Sequence, residues 1–304
     1  MTAILAALGP VTAVIALGYA MRRAGFPGDG FWAPAERLAY YVLLPTLVVR
    51  ALAGAPLAAG AVLPMTAAMM IAIATGAGLM LVLRPRLGVD GPAFSSLFQG
   101  AIRLNGFIGL AAAAGLHGAV GLSLSSAMFI TYIPLVNLLS VTVLTRHAGV
   151  APAGFRVVAR ALTRNPLIIA CVIGGGLAFS GIGMPAALDG LVGIVASAAL
   201  PVGLLCVGAG LSFGGLCHAG RGLAAAVAVK LVAVPLTAVL VATALGLSGP
   251  PLAIVALWSG LPTATSAYIL ARQMGGDAGL MAQTVGLAHV AAAVTLPAIL
   301  LLVA

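Results

Sequence analysis

Arg103 and Asn105 stand inside Gln99-Gly-Ala-Ile-Arg-Leu-Asn-Gly-Phe-Ile-Gly-Leu110, a run that is otherwise apolar and continues to Leu116. A guanidinium near the centre of a bilayer costs at least about 2.5 kcal/mol, so it faces a polar cavity or a partner and marks a pathway. Its planar fork of donors suits an anion, a carboxylate above all. The pair Asn105-Gly106 reads as a cap or turn that ends one half of a helix and starts another, leaving backbone amides free to meet the same guest.

A second stretch has the same character. Trp258-Ser-Gly-Leu-Pro-Thr-Ala-Thr-Ser-Ala-Tyr268 interrupts an apolar run with Gly260, Pro262 and the hydroxyls of Thr263, Thr265 and Ser266. Proline suits the first turn of a helix, where its missing N–H would be unpaired anyway, and it biases Leu261 away from helix. The sequence therefore predicts a half-helix starting near Thr263, matching one that starts at Gly106. Paired interruptions in two halves of a membrane chain point to a transporter site.

Other polar groups within apolar runs form a second tier: Gln99, Asn137, Lys230, Gln273 and His289. Each could act as interhelical glue, worth about 0.6 kcal/mol. Lys230 could also snorkel or cap a carbonyl. His289 is the intramembrane side chain whose ordinary pKa, about 6.5, permits proton coupling near neutrality, although a lone His among Ala and Val is more often a packed residue bonded to a neighbouring helix. The five acids, Asp29, Glu36, Asp90, Asp189 and Asp277, all fall at span ends or in loops. No carboxylate is then available at mid-membrane for a cation exchanger, a proton relay or a hydrolase built on paired acids.

Only 6% of the 304 residues are charged and 62% are hydrophobic, against about 25% charged in a soluble domain. The expected fold class is an all-α polytopic membrane protein. The net charge of +9 sits at span ends, where it reports topology, so nucleic acid is excluded as a partner. Cys171, Cys206 and Cys217 share no ligand spacing, and neither a metal nor an organic cofactor is expected. The first 21 residues are followed, not preceded, by Arg22 and Arg23, and read as a retained first span instead of a signal peptide.

Apolar runs predict ten spans, near 2–21, 36–53, 59–83, 92–116, 119–145, 163–183, 187–212, 221–245, 250–272 and 278–303. The polar connection Arg146 to Arg164 divides them into five-helix repeats, 1–150 and 151–304. Leu44-Pro45 and Leu200-Pro201 occupy like positions in the second and seventh spans, and Gly118-Ala-Val-Gly-Leu122 recurs as Gly276-Asp-Ala-Gly-Leu280. Because each half holds an odd number of spans, the repeats should be inverted. One face of this topology collects Arg22, Arg23, Arg37, Arg84, Arg86, Arg146, Arg156, Arg160, Arg164, Arg221 and Arg272, and the other holds only Arg50. The positive-inside rule then places both termini on the periplasmic or extracellular side of the cell inner (plasma) membrane.

These residues resemble the auxin efflux carrier family, and within it the bacterial malonate transporter-like members. The resemblance runs through Leu17-Gly-Tyr-Ala-Met-Arg-Arg23, Arg37 to Pro45, Gln99 to Leu110 and Asn165-Pro-Leu167. Its most specific part is Leu261-Pro-Thr-Ala-Thr-Ser-Ala-Tyr-Ile-Leu-Ala-Arg-Gln-Met-Gly-Gly-Asp277. It implies crossed, interrupted fourth and ninth helices, a scaffold of spans 1, 2, 6 and 7, and a mobile transport domain of spans 3–5 and 8–10. The PIN auxin carriers of plants, distant relatives, are dimers with an Asn at the crossover, which Asn105 matches; Gly106 stands in for their crossover Pro. The resemblance thus implies a non-enzymatic secondary transporter of malonate-like mono- or dicarboxylates, working as an elevator, with H+ or Na+ as a possible coupling ion and a homodimer as the assembly. An exporter of auxin-like aromatic acids and a non-transporting membrane sensor of carboxylates are the alternatives.

Overall fold

The computed structural model describes residues 2–28, 30–54, 59–147, 163–214 and 220–303, and among them the chain is helical with no strand. Asp29, Arg156, Arg160, Cys217 and most of the Arg146 to Arg164 connection lie outside the described residues. Helix occupies each of the ten expected intervals. Among the described residues six stretches are long and apolar enough to cross a membrane: Thr2–Arg23, Gly60–Leu87, Gly91–His147, Ala186–Ala209, Arg221–Ala244 and Ala278–Leu301. Pro166–Phe179 and Gly249–Ser259 are apolar but shorter. Six stretches qualify where ten spans are expected: Arg221–Ala244 runs through a π-helical turn, and Gly91–His147 covers the intervals expected for the fourth and fifth spans.

By contacts the chain forms two compact units, each drawing on both halves of the sequence. The first comprises the described parts of Met1–Val62, Phe107–Ile130 and Arg160–Gly210. It holds α1 (Thr2–Arg23), α2 (Trp32–Leu38), α3 (Leu44–Ala53), the first part of α6 (Gly106–His147), α7 (Pro166–Phe179), α8 (Ala186–Ser197) and α9 (Ala199–Ala209). Between α2 and α3 the turn Ala39–Leu43 is π-helical. Pro45 explains it: the ring lacks an N–H and would strike the carbonyl four residues back, so the preceding turn widens. α1 and α9 approach closely, since a Cβ on Gly18 would strike the Leu205 carbonyl and one on Gly208 that of Ile15. Such small-residue seams are how apolar helices associate where lipid offers no hydrophobic drive. Arg50 and Asp189 join α3 to α8 through an exposed ion pair at 3.0 Å.

The second unit comprises the described parts of Leu63–Gly106, Thr131–Ala159 and Leu211–Ala304. It holds α4 (Ala59–Leu87, from Leu63), α5 (Gly91–Ile102), the second part of α6, α10 (Arg221–Ala228), α11 (Val234–Ala244), α12 (Gly249–Ser259), α13 (Ser266–Gln273) and α14 (Ala278–Leu301). Two aspartates fix where helices begin: Asp90 accepts from the Ala93 amide at 2.8 Å to start α5, and Asp277 from the Leu280 amide at 2.9 Å to start α14. A π-helical turn, Val229–Ala233, precedes Pro235 as the one in the first unit precedes Pro45. α6 is one helix only in outline. His117 is non-helical and Gly118 has φ 55°, ψ −136°, a backbone state that excludes a β-carbon, so the expected boundary between 116 and 119 is present.

Candidate functional site

All twelve candidate residues from the sequence fall in the second unit. Helix stops at Ile102 and resumes at Gly106, with Arg103, Leu104 and Asn105 in between. It stops again at Ser259 and resumes at Ser266. The two breaks meet. The Asn105 amide donates to the Pro262 carbonyl at 3.0 Å, and the Thr263 hydroxyl donates to the Gly100 carbonyl at 2.7 Å. Irregular backbone at membrane depth survives only where protein groups satisfy it, and each break here satisfies the other.

Three expectations change as a result. Pro262 and Thr263 do not open a helix; α13 starts four residues later, at Ser266, because the Pro262 carbonyl and the Thr263 hydroxyl are held by the first break. Asn105, only 2% exposed, directs its amide to Pro262 and not to a guest. Thr263 is fully buried and braces Gly100. The backbone donors of the first break are engaged throughout: the Arg103 amide closes α5 on the Gln99 carbonyl at 2.9 Å, and the Leu104 amide bonds the Tyr132 hydroxyl at 2.6 Å.

The guanidinium is placed differently. Arg103 leaves α5 with extended backbone, φ −79° and ψ 144°, and its side chain is half-buried. Nη1 donates to Asn137 Oδ1 at 3.3 Å, so a neutral carboxamide on α6 orients the cation. Asp90 and Asp277 cap helices, and Asp189 pairs with Arg50 in the other unit. Gly106 opens the next helix, and Thr265 and Ser266, half-buried, stand at the start of α13. The geometry thus brings Arg103, Asn105, Gly106, Asn137, Pro262 and Thr263 together around the two breaks.

Of the remaining candidates, Lys230 and Gln99 adjoin the breaks, and His289 and Gln273 are placed elsewhere. Lys230, 1% exposed on its π-helical turn, donates to the Ser259 carbonyl at 3.3 Å, the last of α12. A cation there complements the negative end of the half-helix. His289 bonds its own helix through Nδ1 and the Val285 carbonyl at 2.8 Å. Gln273 is exposed at the far end of α13, carried away from the break by two helical turns. Gln99 is fully buried one turn before Arg103.

One residue of the site is not singled out by the sequence. Tyr132 is buried, bonds the amide of Leu104, lies 3.4 Å from that residue's carbonyl, and meets Trp258 edge-on at 6.2 Å between ring centroids. A tyrosine inside an apolar span needs a partner for its hydroxyl, and a break needs a donor and an acceptor; that coincidence is the available signal.

Comparison with known proteins bears out the resemblance read from the sequence. A family model described as "Membrane transport protein" matches residues 153–300. The chain is also similar to an uncharacterized transporter of Methanothermobacter thermautotrophicus (strain Delta H), 25% identical over 290 residues and covering 94% of each chain.

Proposed function

We propose that this chain, whose C-terminal part matches the membrane transport protein family model, is a secondary transporter of small organic anions, malonate-like mono- or dicarboxylates. The observation that carries the reading is Arg103: a half-buried guanidinium at a helix break in a membrane-spanning stretch, oriented by the neutral amide of Asn137. A carboxylate on Arg103 gains a charge-assisted contact worth about 1.5–3 kcal/mol. Asn105 and Gly106 follow Arg103 in the same break, Thr265 and Ser266 stand where helix resumes after the second, and Pro262 and Thr263 hold the two breaks in register.

The mechanism we favour is elevator-like. A transport domain of spans 3–5 and 8–10 carries the bound anion and moves against a scaffold of spans 1, 2, 6 and 7. The presence of all the candidate residues in one unit supports this, because an elevator moves its whole site with one body. Ten spans in two inverted five-helix repeats, both termini outside the cytoplasm, an inner-membrane location and a homodimer complete the proposal, on the strength of the repeat motifs, the arginine distribution and the family resemblance.

Binding of malonate to purified Arg103→Lys and Arg103→Ala tests the site. Lys keeps the charge and loses the fork, so it should bind distinctly worse than Arg. Ala should lose roughly ten- to hundredfold in affinity while remaining folded. Wild-type affinity in a folded Arg103→Ala protein would refute the placement.

A further inference from the structure

Gln99 is a fully buried carboxamide whose Oε1 and Nε2 have no hydrogen-bond partner among the described residues, and the fully buried Ser140 Oγ has none either. Buried polar groups in native proteins are almost always bonded, so two in one place call for a reason. Their positions show that they are related. α5 and the second part of α6 run antiparallel side by side: Gly91 abuts the His147 carbonyl at one end, and Arg103 bonds Asn137 at the other. Counting eight residues inward from Gly91 and His147, or four from Arg103 and Asn137, places Gln99 level with Leu139 or Val141, the two neighbours of Ser140 in the chain. Each also lies one turn from a member of the Arg103–Asn137 pair, four residues before Arg103 and three after Asn137, and so on the same helix face. The polar seam that begins at Arg103 and Asn137 therefore continues one turn deeper between the two helices.

We propose that this second layer receives a further oxygen group of the transported anion, making the site selective for carboxylates that carry a hydroxyl or a second carboxyl group. The inference rests on the anion reading of Arg103. The chemistry of the layer fits an oxygen-bearing group: the carboxamide offers two N–H donors and an acceptor, and the hydroxyl can donate or accept. A metal cation fits poorly beside the guanidinium of Arg103, whose like charge opposes it. A simple alkyl acid would leave the layer unbonded, and a site built to bond a hydroxyl discriminates against the analogue lacking it.

The test uses malonate, lactate and propionate as probes on the purified full-length protein, with Gln99→Met and Ser140→Ala as variants. Wild type should bind malonate and lactate at least about tenfold more tightly than propionate. In each variant that preference should shrink to about twofold, propionate affinity should stay unchanged, and the melting temperature without any anion should equal or exceed that of wild type, because an unbonded buried polar group has been removed. Three results would overturn the inference: no preference in wild type, including failure to bind any probe; full preference retained in both variants; or a lowered melting temperature of Gln99→Met without anion, which would reveal an internal partner. The Arg103 reading stands or falls separately, since Arg103→Ala should weaken all three probes alike.

Discussion

The two helix breaks are built from similar residues and are used differently. The first is three residues long, Arg103 to Asn105, and its backbone amides are engaged while its charged side chain is oriented by a neutral partner. The second is six residues long, Gly260 to Thr265, and two of its polar groups turn inward: the Pro262 carbonyl and Thr263 hydroxyl brace the first break, while Lys230 on a neighbouring turn holds the end of α12. On the proposed reading, one break presents chemistry and the other keeps it in place. Sequence composition hides that difference, because hydroxyls and proline look as suited to binding as a guanidinium and an asparagine do.

The difference can be broken at its structural side. Thr263→Val keeps the shape of the side chain and leaves the buried Gly100 carbonyl without its donor, so stability should fall by about 1–3 kcal/mol. Anion affinity of the folded fraction should stay within about threefold of wild type, measured by denaturation and by binding on the same sample. Loss of binding without loss of stability would move Thr263 from brace to ligand. Tyr132→Phe sharpens the contrast from the other side. It removes the acceptor of the Leu104 amide, should cost about 1 kcal/mol of stability, and should also weaken anion binding several-fold, because the break that carries Arg103 loosens.

Much of this was legible locally. Asn105-Gly106 marks the first resumption of helix, Gly118 marks the division of α6, and the absence of acids from the apolar interior follows from their positions in the chain. What sequence could not supply was long-range pairing. Pro262 has the local signature of a first helical turn, yet its carbonyl is claimed by Asn105, 157 positions away, and the Thr263 hydroxyl by Gly100, 163 positions away. Gln273 looked like part of the site because it is close in sequence, and α13 carries it to the surface. Tyr132 was passed over because the use of a hydroxyl depends on which backbone group another segment leaves open.

The smallest expected effect concerns His289. Its ring is bonded to the Val285 carbonyl of its own helix, so His289→Gln should leave the pH profile of uptake between about pH 5 and 8 unshifted. A flattened profile would instead assign the histidine a part in proton coupling, and would extend the functional region beyond the two breaks.

The central claim, that Arg103 draws an organic anion through this membrane protein, is tested most directly by uptake of radiolabelled malonate into sealed proteoliposomes containing wild type or Arg103→Ala, with folding of both checked by thermal denaturation. The account predicts saturable uptake by wild type above protein-free vesicles and its loss in the folded variant. Equal uptake by both proteins, or wild-type uptake no greater than that of empty vesicles, would contradict it.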